Sequence, residues 1–188
     1  MRCFVAVDLS EGVRGAVARA EEALRAGATG ADVRWVAATG FHVTIQFLGE
    51  VPESRRDDLA AALAAAARDV QPFDLGARGM GSFPNTRRPR VVWVGIEGAT
   101  EELAALATRV GAAMAGCGFP PEARPFTGHV TIGRVRTGRG LGALAAAIQA
   151  RSAEPFGSWS VRDVVLYRSR LSPRGATYEA LARPPLGR

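Results

Sequence analysis

A chain of 188 residues with a formal net charge of +6 fits one domain, or two small lobes sharing a core, and can bury that core without disulfides or metals. No apolar run approaches the ~18 residues of a membrane span, and the amino-terminal segment lacks the layout of a secretory signal, so a cytoplasmic protein without a membrane partner is expected. All 24 basic residues are arginine, whose guanidinium fork suits phosphate-bearing partners, and Cys3 and Cys117 lack the CxxC spacing of a metal or redox site.

In chain order, alternation predicts a strand over 3–9, with Phe4, Ala6 and Asp8 on one face and Cys3, Val5, Val7 and Leu9 on the other. Ser10 is an N-cap for a helix carrying Val13, Val17, Ala20 and Leu24 on its inner face, ended by Gly27 or Gly30. A short strand over 33–36 precedes a strand over 41–48. There Phe41, Val43, Ile45 and Phe47 form the buried set, and His42, Thr44 and Gln46 share the other face at a spacing of roughly 7 Å. A turn over 49–52 leads to a helix over 53–69, then a glycine-interrupted strand over 73–82 and an arginine-rich loop over 83–90. A strand over 91–96 follows, and then a helix capped by Thr100 with Leu103, Leu106, Val110 and Met114 inside, stopped by Gly116 and Gly118. The remainder reads as a strand over 126–134, a helix over 140–150, and strands over 159–167 and 176–183 joined by a turn at 172–175.

The chain has only two histidines, and each opens the same four residues: His42-Val43-Thr44-Ile45 and His129-Val130-Thr131-Ile132. The same offset of 87 residues lays the first strand on the strand at 91–96. It also lays the helix at 11–26 on 98–113, and the helix after His42 on the one at 140–150. Residues 1–188 therefore read as one α+β domain of two duplicated lobes related by a pseudo-two-fold axis, with motif strands near 41–48 and 126–134 facing each other across a cleft.

Histidine is the side chain whose unperturbed pKa lies nearest neutrality, so a neutral and a protonated imidazole can take a proton from a nucleophile and give one to a leaving group. A threonine two residues along the strand projects a hydroxyl from the same face, where it can donate to a phosphoryl oxygen. Two histidines without suitably spaced carboxylates or cysteines are a poor zinc constellation, so neither metal nor other cofactor is expected. Because the motifs are identical, the sequence leaves open which histidine is the acid and which the base.

These residues resemble the paired HxTx motifs of the 2H phosphoesterase superfamily. The opening segment Arg2-Cys3-Phe4-Val5-Ala6-Val7-Asp8-Leu9, the extension Gln46-Phe47-Leu48-Gly49-Glu50-Val51, the approach Arg124-Pro125-Phe126-Thr127-Gly128-His129 and the late Val165-Leu166-Tyr167-Arg168-Ser169 all resemble the bacterial RNA 2′,3′-cyclic phosphodiesterase group, also called 2′-5′ RNA ligases. That family often has proline before its second histidine, where this chain has Gly128. The resemblance implies two mainly antiparallel β-sheets forming a cleft, with helices packed outside. It implies a monomer acting on RNA ends that carry a 2′,3′-cyclic phosphate and leaving a 2′-phosphomonoester, with reverse 2′-5′ ligation as a further capacity. By similarity His42 is the proton donor and His129 the proton acceptor, while Thr44 and Thr131 hold phosphate oxygens. A 2H activity on a small cyclic nucleotide, or an RNA-end-binding module without turnover, are the alternatives.

Phe4 shares the polar-face parity of its strand and is a candidate for stacking a nucleobase, with an ordinary core phenylalanine as the equal alternative. Arg134 matches an arginine of the family, yet strict alternation turns it away from His129 unless a bulge intervenes near Gly133. Arg87, Arg88 and Arg90 form a charged loop that can be simply solvated or track an RNA backbone. Tyr167 follows an apolar run and reads as structural.

Overall fold

Where the sequence alternates, the chain forms strands, and every strand pairs antiparallel with its neighbours. The computed structural model describes residues 1–172 and 175–187. The first half comprises β1 (Arg2–Asp8), α1 (Glu11–Gly27), β2 (Val33–Trp35), β3 (His42–Glu50), α2 (Arg56–Ala67) and β4 (Phe73–Phe83). The second comprises β5 (Val91–Gly98), α3 (Thr100–Gly116), β6 (His129–Val135), α4 (Leu141–Gln149), β7 (Pro155–Val161), β8 (Val165–Ser172) and β9 (Gly175–Ala182).

The strands run in the order β7-β4-β5-β6-β3-β1-β8-β9, with β2 added beside β6. The two expected sheets are thus joined into one, and the seam is narrow: β3 and β6 share a single residue pair, Val43 with Val130. Each lobe borrows a strand from the other half of the chain, β4 lying beside β5 and β8 beside β1. The helices are exchanged in the same sense. α1 packs on β7 and α4, whereas α3 packs on α2 and β3. This reciprocal exchange is what the pseudo-two-fold expectation requires, and it joins both lobes into one contiguous apolar core that includes Val5, Val43, Leu63, Leu106, Val130, Ile132 and Leu144.

Local chemistry explains the element ends. The Ser10 hydroxyl accepts from the Val13 amide at 3.4 Å, capping α1, whose Val13, Val17, Ala20 and Leu24 are all buried. Thr100, expected as a cap, is instead the first residue of α3, with Ala99 before it and no side-chain cap. The strand expected over 159–167 is two strands, β7 and β8, because the chain leaves one edge of the sheet after Val161 and re-enters beside β1 at Val165. The second motif strand begins at His129, not at 126, since 119–128 runs as irregular backbone through Pro120, Pro121 and Pro125. The turn at 172–175 falls partly outside the described residues, at Pro173 and Arg174.

Candidate active site

The geometry of the site follows from one irregularity, present twice. Along β1 and β3, Val5 pairs with Gln46 and Ala6 with Thr44, which leaves Ile45 as an extra residue. Along β5 and β6, Val92 pairs with Gly133 and Trp93 with Thr131, which leaves Ile132 as the extra residue. Both positions are the last residue of the repeated four, and their partners are also 87 residues apart. A bulge of this kind bends the strand and reverses the alternation beyond it. Before the bulge, the histidine and threonine of each copy face the cleft. After it, the parity inverts: Gln46 turns into the core and Phe47 turns out, and correspondingly Gly133 is buried and Arg134 exposed.

Two expectations are corrected here. Gln46 does not share the face of His42 and Thr44; it is 4% exposed, and its Nε2 donates to the carbonyls of Phe119 at 3.0 Å and Pro120 at 3.1 Å. Phe47, expected inside, is 54% exposed. The same inversion settles the placement of Arg134, which lines the cleft with His129 and Thr131.

His42, Thr44, His129, Thr131, Phe4 and Arg134 all line one cleft of about 920 Å³. Continuing the Val43–Val130 register by one residue each way sets His42 opposite Thr131 and Thr44 opposite His129. In that register each histidine of one copy faces the threonine of the other across the seam. In a regular antiparallel pair, diagonal neighbours such as the two histidines lie about 7–8 Å apart.

The surroundings of the two imidazoles differ. His129 Nδ1 lies 2.8 Å from the carbonyl oxygen of Thr127. A carbonyl only accepts, so this nitrogen carries the proton, and the neutral ring is left with Nε2 as a free acceptor. The Phe83 and His129 rings are T-shaped to each other, 5.0 Å between centroids. His42 is held among aromatic rings, stacked on Phe4 at 4.8 Å and met edge-on by Tyr178 at 5.2 Å. Burial pushes its pKa from 6.5 down to about 4, while a hydrogen bond to the Gly40 backbone and the charge of Asp8 act in the opposite sense.

Asp8 is paired with His42 across β1 and β3 and anchors a buttress behind it. Tyr167 donates its hydroxyl to both carboxylate oxygens of Asp8, at 2.8 and 2.9 Å, and Arg183 Nη2 approaches Oδ2 at 2.6 Å. Arg183 also reaches Asp163 at 2.9 Å. Burial and the Asp8 bond push the Tyr167 hydroxyl up to about 12, so it remains a donor throughout the neutral range. The segment ahead of His42 is fixed from α1, where Arg14 Nη1 donates to the carbonyls of Ala38 and Phe41 at 2.8 and 2.9 Å.

Phe4 does line the cleft, but at 3% exposure its ring is taken up by His42, Tyr167 and Tyr178. It packs against the histidine, which favours the core reading of the two that the sequence left open. Arg87, Arg88 and Arg90 are exposed, and Arg88 and Arg90 border a separate small recess. Sequence reasoning missed Arg14, Tyr178, Arg183 and the role of Asp8. Only the 87-residue offset held a signal for the last, because it sets Asp8 on Gly95 where the motifs themselves are identical.

Gly128 sits where a Cβ would come within 2.8 Å of Leu103 Cδ2, so in this chain glycine suits the close packing of α3 beneath the second motif. No helix among the described residues is long and apolar enough to cross a membrane.

Comparison with known proteins agrees with this geometry. The sequence matches the 2′-5′ RNA ligase superfamily over residues 13–172. It is 36% identical to an RNA 2′,3′-cyclic phosphodiesterase of Methanothermobacter thermautotrophicus, covering 95% of each chain. It is also 36% identical to one of Archaeoglobus fulgidus, covering 96% of this chain and 98% of that one. Among solved structures, TT0787 of Thermus thermophilus superposes with a TM-score of 0.78 at 31% identity, covering 99% of this chain and 98% of that one. Escherichia coli LigT in complex with 3′-AMP superposes at 0.76 with 27% identity, covering 100% of this chain and 98% of that one. The chain belongs to the 2′-5′ RNA ligase superfamily.

Proposed function

We propose that this protein hydrolyses the 2′,3′-cyclic phosphate at RNA ends to a 2′-phosphomonoester, with His42 as proton donor and His129 as proton acceptor. The observation that carries the reading is that both histidines and both threonines line one cleft, on either side of the Val43–Val130 pair. The relatives named RNA 2′,3′-cyclic phosphodiesterase, matched over nearly the whole chain, support the substrate class.

The reaction follows from the side chains. A water lies against His129 Nε2, which takes its proton as the water oxygen bonds to phosphorus. The bond from phosphorus to O3′ breaks on the opposite side, and the His42 imidazolium gives its proton to O3′. Thr44 and Thr131 donate hydroxyl hydrogen bonds to the non-bridging oxygens as charge gathers there. Arg134 adds a fixed positive charge and a bidentate fork. With an RNA 5′-hydroxyl in place of water, the same sequence of steps joins two ends through a 2′-5′ linkage, O3′ again leaving with the proton from His42.

The assignment of acid and base rests on the unequal surroundings. His129 has its Nδ1 proton committed to Thr127, leaving Nε2 ready to accept. His42 has the Asp8 carboxylate beside it to favour its protonated form. In the free protein burial still outweighs that carboxylate, so His42 charges only when an anionic phosphate supplies a further counter-charge. The substrate thereby creates the acid that it needs.

All four reacting groups come from one chain, and among the described residues no cluster of three or more His, Cys, Asp or Glu is placed to hold a metal ion. The reading is of a monomeric, cytoplasmic enzyme, one domain over 1–188, that works without metal or other cofactor. The test is opening of a 2′,3′-cyclic phosphate by wild type, His42→Gln and His129→Gln, each with and without EDTA. Loss of turnover in both variants and indifference to EDTA are expected; full activity in either variant refutes the mechanism.

A further inference from the structure

The exposed arginines of this chain fall into two sets. Arg55, Arg109, Arg170 and Arg183 each hold a carboxylate within 3.2 Å. Arg34, Arg134, Arg136, Arg88 and Arg90 are exposed too, yet among the described residues none of them forms an ion pair. These five gather at one end of the cleft. Arg34 of β2 is paired directly with Arg134 of β6, and both line the cleft. Like charges set directly opposite on a sheet repel. Glu21 and Glu22 also line the cleft, but from α1, where the cation acting on Glu21 is Arg25. The Arg34–Arg134 pair therefore has no protein anion to relieve it.

The other three arginines continue from that pair. Arg136 follows just past the end of β6, and with Arg88 and Arg90 it borders a recess of about 320 Å³. The loop that carries Arg88 and Arg90 is tied down. Asn85 Oδ1 accepts from the amides of Arg87 and Arg88 at 3.1 and 3.0 Å, the Arg90 amide donates to the Phe83 carbonyl at 2.7 Å, and the Val135 amide donates to the Arg90 carbonyl at 2.9 Å. The recess thus abuts the end of the strand that carries Arg134. The pseudo-equivalent end of the cleft lacks this feature. The 87-residue offset sets Arg34 on Pro121, Arg134 on Phe47 and Arg136 on Gly49, and the arginines near Gly49, Arg2 and Arg168, face Glu50 and Glu53.

We propose that these arginines form a track for the phosphodiester backbone of single-stranded RNA, in which Arg34 holds the phosphate next to the cyclic one and Arg136, Arg90 and Arg88 take those beyond it. The inference rests on the reading of an RNA end as the substrate. The terminal nucleotide continues through its 5′ oxygen into the strand, so each added nucleotide brings one more negative charge that has to leave the cleft. A row of guanidinium groups without carboxylates suits that charge and reads no base, because phosphate contacts position a strand and carry no sequence information. The track lies at one end of the cleft, so it admits the strand in one direction only.

The test compares kcat/KM for a nucleoside 2′,3′-cyclic phosphate with that for a dinucleotide and a pentanucleotide ending in the same group. In wild type the value should rise with length. Arg34→Gln should lower it for the dinucleotide and pentanucleotide by about 2- to 5-fold, the worth of an exposed ion pair. Arg90→Gln combined with Arg136→Gln should lower it for the pentanucleotide alone. The mononucleotide should be turned over at the wild-type rate in every variant. For the pentanucleotide, the slope of log kcat/KM against log salt should lessen by about 0.7 for each arginine removed. Equal values for the three substrates in wild type, a loss in Arg34→Gln that is the same at every length, or an undiminished pentanucleotide value in the double variant overturns the track and leaves the phosphodiesterase reading standing. Absence of turnover of all three by wild type overturns that reading, and the track with it.

Discussion

Asp8 and Gly95 hold the same place in the two lobes, Asp8 paired with His42 and Gly95 paired with His129. No side chain is accommodated at the second position, because a Cβ on Gly95 would stand 2.7 Å from the Arg78 carbonyl oxygen. Identical motifs thus sit in unequal fields: one histidine has a carboxylate paired with it, braced by Tyr167 and Arg183, and the other has a glycine at that place. Asp8→Asn removes the charge while leaving an acceptor for Tyr167. Since Asp8 raises the His42 pKa, the variant should lower it. A general acid limits the rate on the alkaline side, so the alkaline limb of the kcat profile should move to lower pH by up to about one unit, with a roughly tenfold loss of kcat above it. The acid limb, which belongs to the base, should stay in place. Movement of both limbs together would deny Asp8 this selective role.

The lowered pKa of His42 makes a second prediction. The chain has only two histidines, so their ring protons can be followed individually by NMR. His42 should titrate near 4 in the free protein and at higher pH with a nucleoside 2′-phosphate bound. A midpoint near 6.5 in the free protein would contradict the burial that the structure shows.

A stability consequence accompanies that titration. The folded protein holds His42 below the 6.5 of an unperturbed imidazole, so between about 6.5 and 4 the unfolded chain binds the extra proton. Folding stability should therefore be whole above 6.5 and fall as the pH drops toward 4, by roughly 3 kcal/mol from this group. Denaturant unfolding of His42→Gln over the same pH range should show a correspondingly smaller loss. Parallel curves for the two proteins would contradict the burial of a neutral imidazole.

Arg134 offers a separate test, because it is exposed and its removal leaves no buried gap. Arg134→Gln should lower kcat/KM by about 10- to 100-fold, the worth of a charge-assisted bond to phosphate, and should weaken the dependence of kcat/KM on salt. Arg134→Lys should recover part of the loss, having charge without the fork. Wild-type values in Arg134→Gln would remove this residue from the site.

The sequence was most legible where periodicity and repetition agreed. The helices on Val13, Val17 and Leu24 and on Leu103, Leu106 and Met114 bury the faces that their spacing indicates. The duplicated motif brought both histidines and both threonines into one cleft. It was least legible just beyond the motifs. Alternation carries no mark of an extra residue, so Ile45 and Ile132 look like ordinary strand positions, and every side chain after them is assigned to the wrong face. Gln46 and Phe47 follow from that one oversight, whereas for Arg134 a bulge near Gly133 was the stated condition for reaching the cleft, and the extra residue Ile132 meets it. Tyr178 and Arg183 reach the site from β9 and the segment just after it, far along the chain from either motif, and no local pattern ties them to His42. The boundary between β7 and β8 was hidden because only Arg162 and Asp163 separate Val161 from the apolar run that begins at Val164.

Product analysis tests the central claim most directly. An oligoribonucleotide ending in a 2′,3′-cyclic phosphate is incubated with the wild-type protein in ¹⁸O-water, and the position and isotope content of the terminal phosphate are determined. A 2′-phosphomonoester carrying one ¹⁸O is the predicted product. A 3′-phosphomonoester, or a cyclic phosphate left intact, would contradict the account.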